Sequence, residues 1–248
     1  MKSNKLLAKS ITLGLILAIP YGVVSAEDIV ISSDTTYSGP YNAENGGVQI
    51  SSGVTLSGDE NTDMEMSGKF TGFPRALQVN GTIKTANSLT VNGGTYVVSG
   101  GTISDIDTVT FTNTVNSHSG GGLAVSFDNQ GILKNVDTLV LGGRTTNTGT
   151  ISVGAINKAD DGTTLDIGNQ AGGKIEVTGT ANVDQLGNSG EIKAGTINLT
   201  ASGNNGIHNQ TGGKITAGEI TGSGYIHNSG GTIDADTIDV KLDITNTN

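Results

Sequence analysis

The sequence predicts an all-β fold, a parallel β-helix (β-solenoid) with rungs of roughly 20 residues, on three observations. First, one phrase keeps returning. Phe127-Asp128-Asn129 leads to Gly131-Ile132, Thr145-Thr146-Asn147 to Gly149-Thr150-Ile151, and Ile167-Gly168-Asn169 to Gly173-Lys174-Ile175. Leu186-Gly187-Asn188 leads likewise to Ile192, Ile207-His208-Asn209 to Ile215, and Ile226-His227-Asn228 to Ile233, while Ile244-Thr245-Asn246 opens a further unit. The asparagines are 18, 22, 19, 21, 19 and 18 residues apart. Second, apolar residues inside each unit alternate with period two, which marks short strands with one buried face. Third, 39 glycines against 3 prolines describe strands joined by tight turns, not a Pro-rich linker.

Met1 to Ala26 reads as a secretory signal. Lys2, Lys5 and Lys9 form a basic region, Ile11 to Ile19 is a compact apolar run, and Val24-Ser25-Ala26 suits a signal peptidase. The run is shorter than the roughly 20 residues that span a bilayer. Its removal deletes three lysines and no acids, leaving 10 basic against 23 acidic groups and a net charge of −13. That balance argues against nucleic acid and against anionic membrane surfaces, both of which demand clustered Lys and Arg. Cysteine is absent, so stability has to come from packing and hydrogen bonding alone.

Residues 27–76 are read as an N-terminal cap with irregular first rungs. Val48-Gln49-Ile50 and Val54-Thr55-Leu56 look like strands, whereas Asp59 to Pro74, with Met64, Met66, Phe70 and Phe73, shows no rung pattern. Residues 77–248 are read as the β-helix repeats. Asn80-Gly81-Thr82-Ile83 and Gly101-Thr102-Ile103 fit the phrase, and Asn113 to Gly122 is expected to loop out of its rung. Each later repeat is read as three strands: one before the Asn, a second as in Ile175/Val177 and Ile192/Ala194, and a third as in Ile197/Leu199 and Ile238/Val240. Stacking would place the asparagines in a ladder and the isoleucines in apolar columns. Glycine follows Asn because the turn needs either positive φ or close backbone approach. The unit begun at Ile244 lacks its Gly and second strand, so further rungs are expected beyond Asn248.

The signal, the missing cysteines, the acidic Gly/Asn/Thr/Ser-rich composition and these N-x-G-x-I rungs resemble the passenger regions of Gram-negative autotransporters and related adhesins. The resemblance covers nearly the whole mature chain. It implies a right-handed β-helix, secreted through the inner membrane, exported through an outer-membrane barrel and displayed at the cell surface. Its partners would be that translocation barrel, acting in cis and not contained in this chain, and a host or bacterial surface ligand. The chain shows no barrel strands and no serine-protease motif, and so is read as a passenger portion acting as an adhesin or structural display rod. A secreted β-helical polysaccharide lyase or hydrolase is the alternative.

No residue is assigned a catalytic, cofactor-binding or metal role. Asp160 and Asp161 resemble the paired aspartates of β-helical pectin-degrading hydrolases, but the Gly-His-Gly and Arg-x-Lys clusters of those enzymes are missing, and Arg75 and Arg144 are the only arginines. The pair is therefore read as a solvated turn and the chain as not an enzyme. His208 and His227 share a slot one repeat apart and are read as a surface stack, because zinc wants three or four ligands and the repeat supplies no third. Asp234, Asp236, Asp239 and Asp243 concentrate charge without a G-G-x-G-x-D motif, which points to solubility or weak ion binding. Gly93-Gly94, Gly142-Gly143 and Gly222-Ser223-Gly224 open no helix and are turns, not phosphate loops. With no Trp and 4% aromatic residues, no aromatic platform for sugars can be named.

Overall fold

A computed structural model describes residues 28–43, 46–68, 75–112, 125–160, 163–200 and 205–247. The signal segment, Phe70, Phe73, Asp161 and the expected loop Asn113 to Gly122 lie outside the described residues. Throughout the described residues the regular structure is β-strand. Two sheets form, of 11 and 12 strands, and the chain alternates between them as it climbs. Every strand pair is parallel, and about ten rungs of roughly 20 residues stack into a β-solenoid.

The first sheet takes one four-residue strand per rung in the later repeats, such as Asp166–Asn169, Gln185–Asn188 and Gly206–Asn209. In each, residues two and four point inward. The second position stacks Phe127, Thr145, Ile167, Leu186, Ile207 and Ile226 in one column, and the fourth stacks the asparagines. The ladder runs through seven rungs: each Nδ2 donates to the Oδ1 of the next, from Asn129 to Asn147, Asn169, Asn188, Asn209, Asn228 and Asn246, at 2.8–2.9 Å. Five of them, from Asn129 to Asn209, are fully buried. The amide also donates to a main-chain carbonyl of the next rung, as Asn169 does to Glu191 O at 3.2 Å and Asn209 to Thr232 O at 3.1 Å. The side chains bond one another because in-register stacking brings identical amides to hydrogen-bond distance. The ladder starts abruptly. Asn129 is paired in register with Val97, which has no donor to offer, and its Oδ1 is left without a partner. Replacing Asn209 with Leu strands the amide of Asn188 and the carbonyl of Asn228, and should cost about 1–3 kcal/mol in a urea melt; an unchanged midpoint would contradict a cooperative ladder.

The second sheet corrects the three-strand reading of a rung. Its second and third strands are halves of one continuous strand, as in Glu191–Leu199. Ile192 and Ala194 point inward, Gly195 and Thr196 both face outward, and Ile197 and Leu199 point inward again. Two successive outward residues bend the strand into a corner without interrupting its hydrogen bonds. Upper rungs add another residue just ahead of this bend, between the first two inward positions, as between Ile83 and Ala86. Thr85, Asp105 and Asn135 stack there in left-handed conformation, at φ 58°, 58° and 53°. Asp105 is held by Asn135 Nδ2 and Ser104 Oγ, both at 2.8 Å. The next strand, Thr150–Lys158, drops the extra residue, which registers as a bulge. Left-handed backbone costs a β-branched residue about 1–2 kcal/mol, and the Thr85 side chain is exposed. Thr85→Gly should therefore raise stability by about 0.5–1 kcal/mol, read as a higher melting midpoint; a lower one would mean that the side chain holds the extra residue in place.

Asp59 to Pro74 also reads differently in the structure. Strand Asp63–Gly68 pairs with Thr82–Asn92 and buries Met64 and Met66 in the core. Thr55–Ser57 and Asp63–Gly68 are the two halves of a second-sheet strand, split by a turn in which Asp59 Oδ1 accepts from Asn61 N at 3.0 Å and Thr62 Oγ1 at 2.7 Å. The insertion hides the rung because the halves no longer keep a fixed spacing. Below, Phe111 and Phe127, the bulkiest of the fully buried side chains, pack with ring centroids 4.5 Å apart and planes tilted by 36°.

Candidate functional site

The outer surface divides by column. On the second sheet, outward positions of the first half carry Lys174, Glu191 and Lys214 in one register row and Glu176 beside Lys193 in another. Lys193 Nζ lies 3.4 Å from Glu176, an exposed pair. Beyond the corner the outward residues are small and polar. Thr108 and Thr110 register with Ser88 and Thr90 above. Lower down, Asn157, Asn182 and Asn198 form an external ladder at 2.8–2.9 Å.

Asp160 sits exposed in the bend after Thr150–Lys158. The acidic residue that matters at this corner was missed by the sequence reading: Asp184, 2% exposed. Its Oδ2 accepts from Lys158 Nζ and from Leu165 N, each at 2.8 Å, and its Oδ1 from Thr200 Oγ1 at 2.6 Å. Burial alone would raise this carboxyl; the hydrogen bonds from Lys158, Thr200 and the Leu165 amide outweigh it and hold the group below the usual carboxylate range. Lys158 occupies a position registered with the core residue Leu141. A lysine where the column calls for an aliphatic side chain was the sequence signal for a buried partner.

The first sheet brings together the titratable groups that sequence left separate. Arg144 Nε approaches Asp166 Oδ2 at 3.9 Å, and burial raises the Asp166 carboxyl against the pull of Arg144 and His208. His208 and His227 are register partners on adjacent strands as expected, but their rings do not stack: the centroids are 6.2 Å apart and the planes meet at 61°, edge to face. Tyr225, two residues before His227 on the same outward face, was not anticipated. Its hydroxyl hydrogen-bonds His208 Nε2, and the two rings meet edge to face at 5.1 Å. Burial, then the neighbouring His227, lower the His208 imidazole below its ordinary value, with Asp166 opposing. His227 Nδ1 is held by Thr245 Oγ1 at 2.7 Å.

Asp234, Asp236 and Asp239 are exposed along Thr232–Val240, the first two ahead of the corner or at it and the third beyond it. Among the described residues no three His, Cys, Asp or Glu side chains converge. No described helix is long and apolar enough to cross a membrane. Surface depressions among the described residues include one of about 310 Å³ beside Asp34, Thr55 and Lys84 and one of about 340 Å³ beside Lys174, Glu191 and Lys214. Each holds a single carboxylate, whereas glycoside hydrolysis uses two across the scissile bond.

No family model matches the chain, and neither a curated protein nor a solved structure matches it.

Proposed function

We propose that this chain is the β-helical passenger portion of an autotransporter, acting at the cell surface as an adhesin or structural display rod and not as an enzyme. The observation that carries the reading is the continuous hydrogen-bonded stack: parallel ladders on two sheets and an unbroken asparagine column over seven rungs. Such a structure is rigid along its length, presents repeated polar columns outward, and needs neither disulfide nor cofactor to hold its shape. Residues 1–26 supply export across the inner membrane, an outer-membrane barrel acts in cis, and a host or bacterial surface ligand is the partner.

The test is to express the chain with its own N-terminus, fused ahead of an outer-membrane barrel, and to label intact cells with antibody against residues 77–248. Surface labelling that disappears when residues 1–26 are deleted, together with increased adhesion of the labelled cells, is the expected result. Labelling unaffected by that deletion would refute the export signal, and full display without adhesion would reduce the role to a structural rod. Turnover of pectin, alginate or another polyuronate that is lost in Asp161→Asn would favour the secreted hydrolase instead.

A further inference from the structure

The outer face of the first sheet gathers three donor side chains that no stacking requirement explains. The column containing His208 holds Gly168 and Gly187 in the rungs immediately before it and His227 immediately after. Tyr225 stands beside His227 with Gly206 as its register partner in the preceding rung. The two imidazoles and the phenol thus cluster at the lower edge of a glycine-floored strip, partly open to solvent.

We propose that His208, His227 and Tyr225 form a binding site for a borderline divalent transition-metal ion, taken through the two imidazoles with the Tyr225 oxygen adjoining. Metal–nitrogen bonds of about 2.0–2.1 Å put each ring centroid about 3.2 Å from the ion, so rings sharing one ion on opposite sides stand no more than about 6.4 Å apart. The observed 6.2 Å separation falls within that reach. Tyr225 Oη hydrogen-bonds His208 Nε2 in the metal-free chain, so an ion would displace that bond, taking the nitrogen and leaving the phenol oxygen next to it. Thr245 fixes His227 through Nδ1, the kind of outer-shell bond that orients a metal-binding imidazole and leaves Nε2 as the nitrogen for an ion. Gly187, the register partner of His208 in the preceding rung, leaves that position without a side chain and with no atom nearer than 4.0 Å to where a Cβ would stand, which gives room for water to complete the coordination. The donor set is nitrogen-rich, so it selects Cu(II) over Ni(II) and Zn(II), and rejects calcium, which requires several oxygens.

The experiment titrates the full chain with CuCl2, ZnCl2 and CaCl2 by calorimetry and records Cu(II) paramagnetic resonance. Binding of one Cu(II) per chain with hyperfine coupling to two nitrogens is expected, with weaker Zn(II) binding and no heat from calcium. His208→Gln and His227→Gln should each weaken Cu(II) binding about tenfold or more, and Tyr225→Phe should change the spectrum with a smaller loss. Unchanged circular dichroism of these variants ensures that affinity, not folding, is read. His118→Gln, in the remaining histidine, should leave binding intact. Undiminished Cu(II) affinity in the His208→Gln/His227→Gln double variant, or loss in His118→Gln alone, would overturn the site.

Discussion

Lys158→Met is expected to lower stability by about 3 kcal/mol, because it leaves the Asp184 carboxylate buried with its charge uncompensated. Methionine suits the column that Leu141 defines, so the loss cannot be assigned to packing. The acid limb of the stability curve supplies a second readout. In the native chain Asp184 is held below its unfolded value, so its contribution is complete above about pH 4 and disappears as pH falls through the lower folded value. Without the lysine, burial dominates, the folded carboxyl rises, and the loss should begin at higher pH. The double variant Lys158→Met/Asp184→Asn should recover part of the stability and flatten the acid limb. An acid limb unchanged in Lys158→Met would show that Thr200 Oγ1 and Leu165 N suffice to hold the charge.

The parts of this architecture visible in sequence are those that stacking repeats. The asparagine column, the isoleucine columns and the His208/His227 neighbours all follow from placing units of similar length in register. What escaped was whatever changes the phase within a rung. The bend between Ala194 and Ile197 is invisible to an alternation rule, which breaks there and restarts as though a new strand had begun. Thr85, Asp105 and Asn135 adopt left-handed backbone although Thr carries no demand for it, and the three share the geometry because their strands stack in register. Met64 and Met66 were hidden by the turn at Asp59. Tyr225 lies outside the repeated phrase, and Lys158 carries no repeat signal of its own; only the register puts it beside Leu141. Fold therefore came from what is shared between rungs, while chemistry sits where one rung departs from its neighbours.

The glycine of the repeated phrase can be assigned to one of its two possible reasons. Positive φ is not the cause at Gly190, which is absent from the left-handed residues. A Cβ there would lie 2.3 Å from Gly173 O, 2.5 Å from Gln170 O and 2.7 Å from Asn169 Nδ2. Two of these are backbone atoms, and Gly173 O already accepts from Glu191 N at 3.0 Å. Gly190→Ala therefore has to push adjacent rungs apart at the point where the main-chain ladder and the asparagine ladder meet, and should cost about 3 kcal/mol. Gly187, three residues earlier on the outward face, is the internal control: its added Cβ would come no nearer than 4.0 Å to Ile167 O. Gly187→Ala should be neutral or slightly stabilising, since alanine restricts the unfolded chain without meeting an obstacle. Urea melts of the two variants separate the explanations. Equal midpoints would mean that the turn, and not the close approach of stacked backbones, selects glycine at this position.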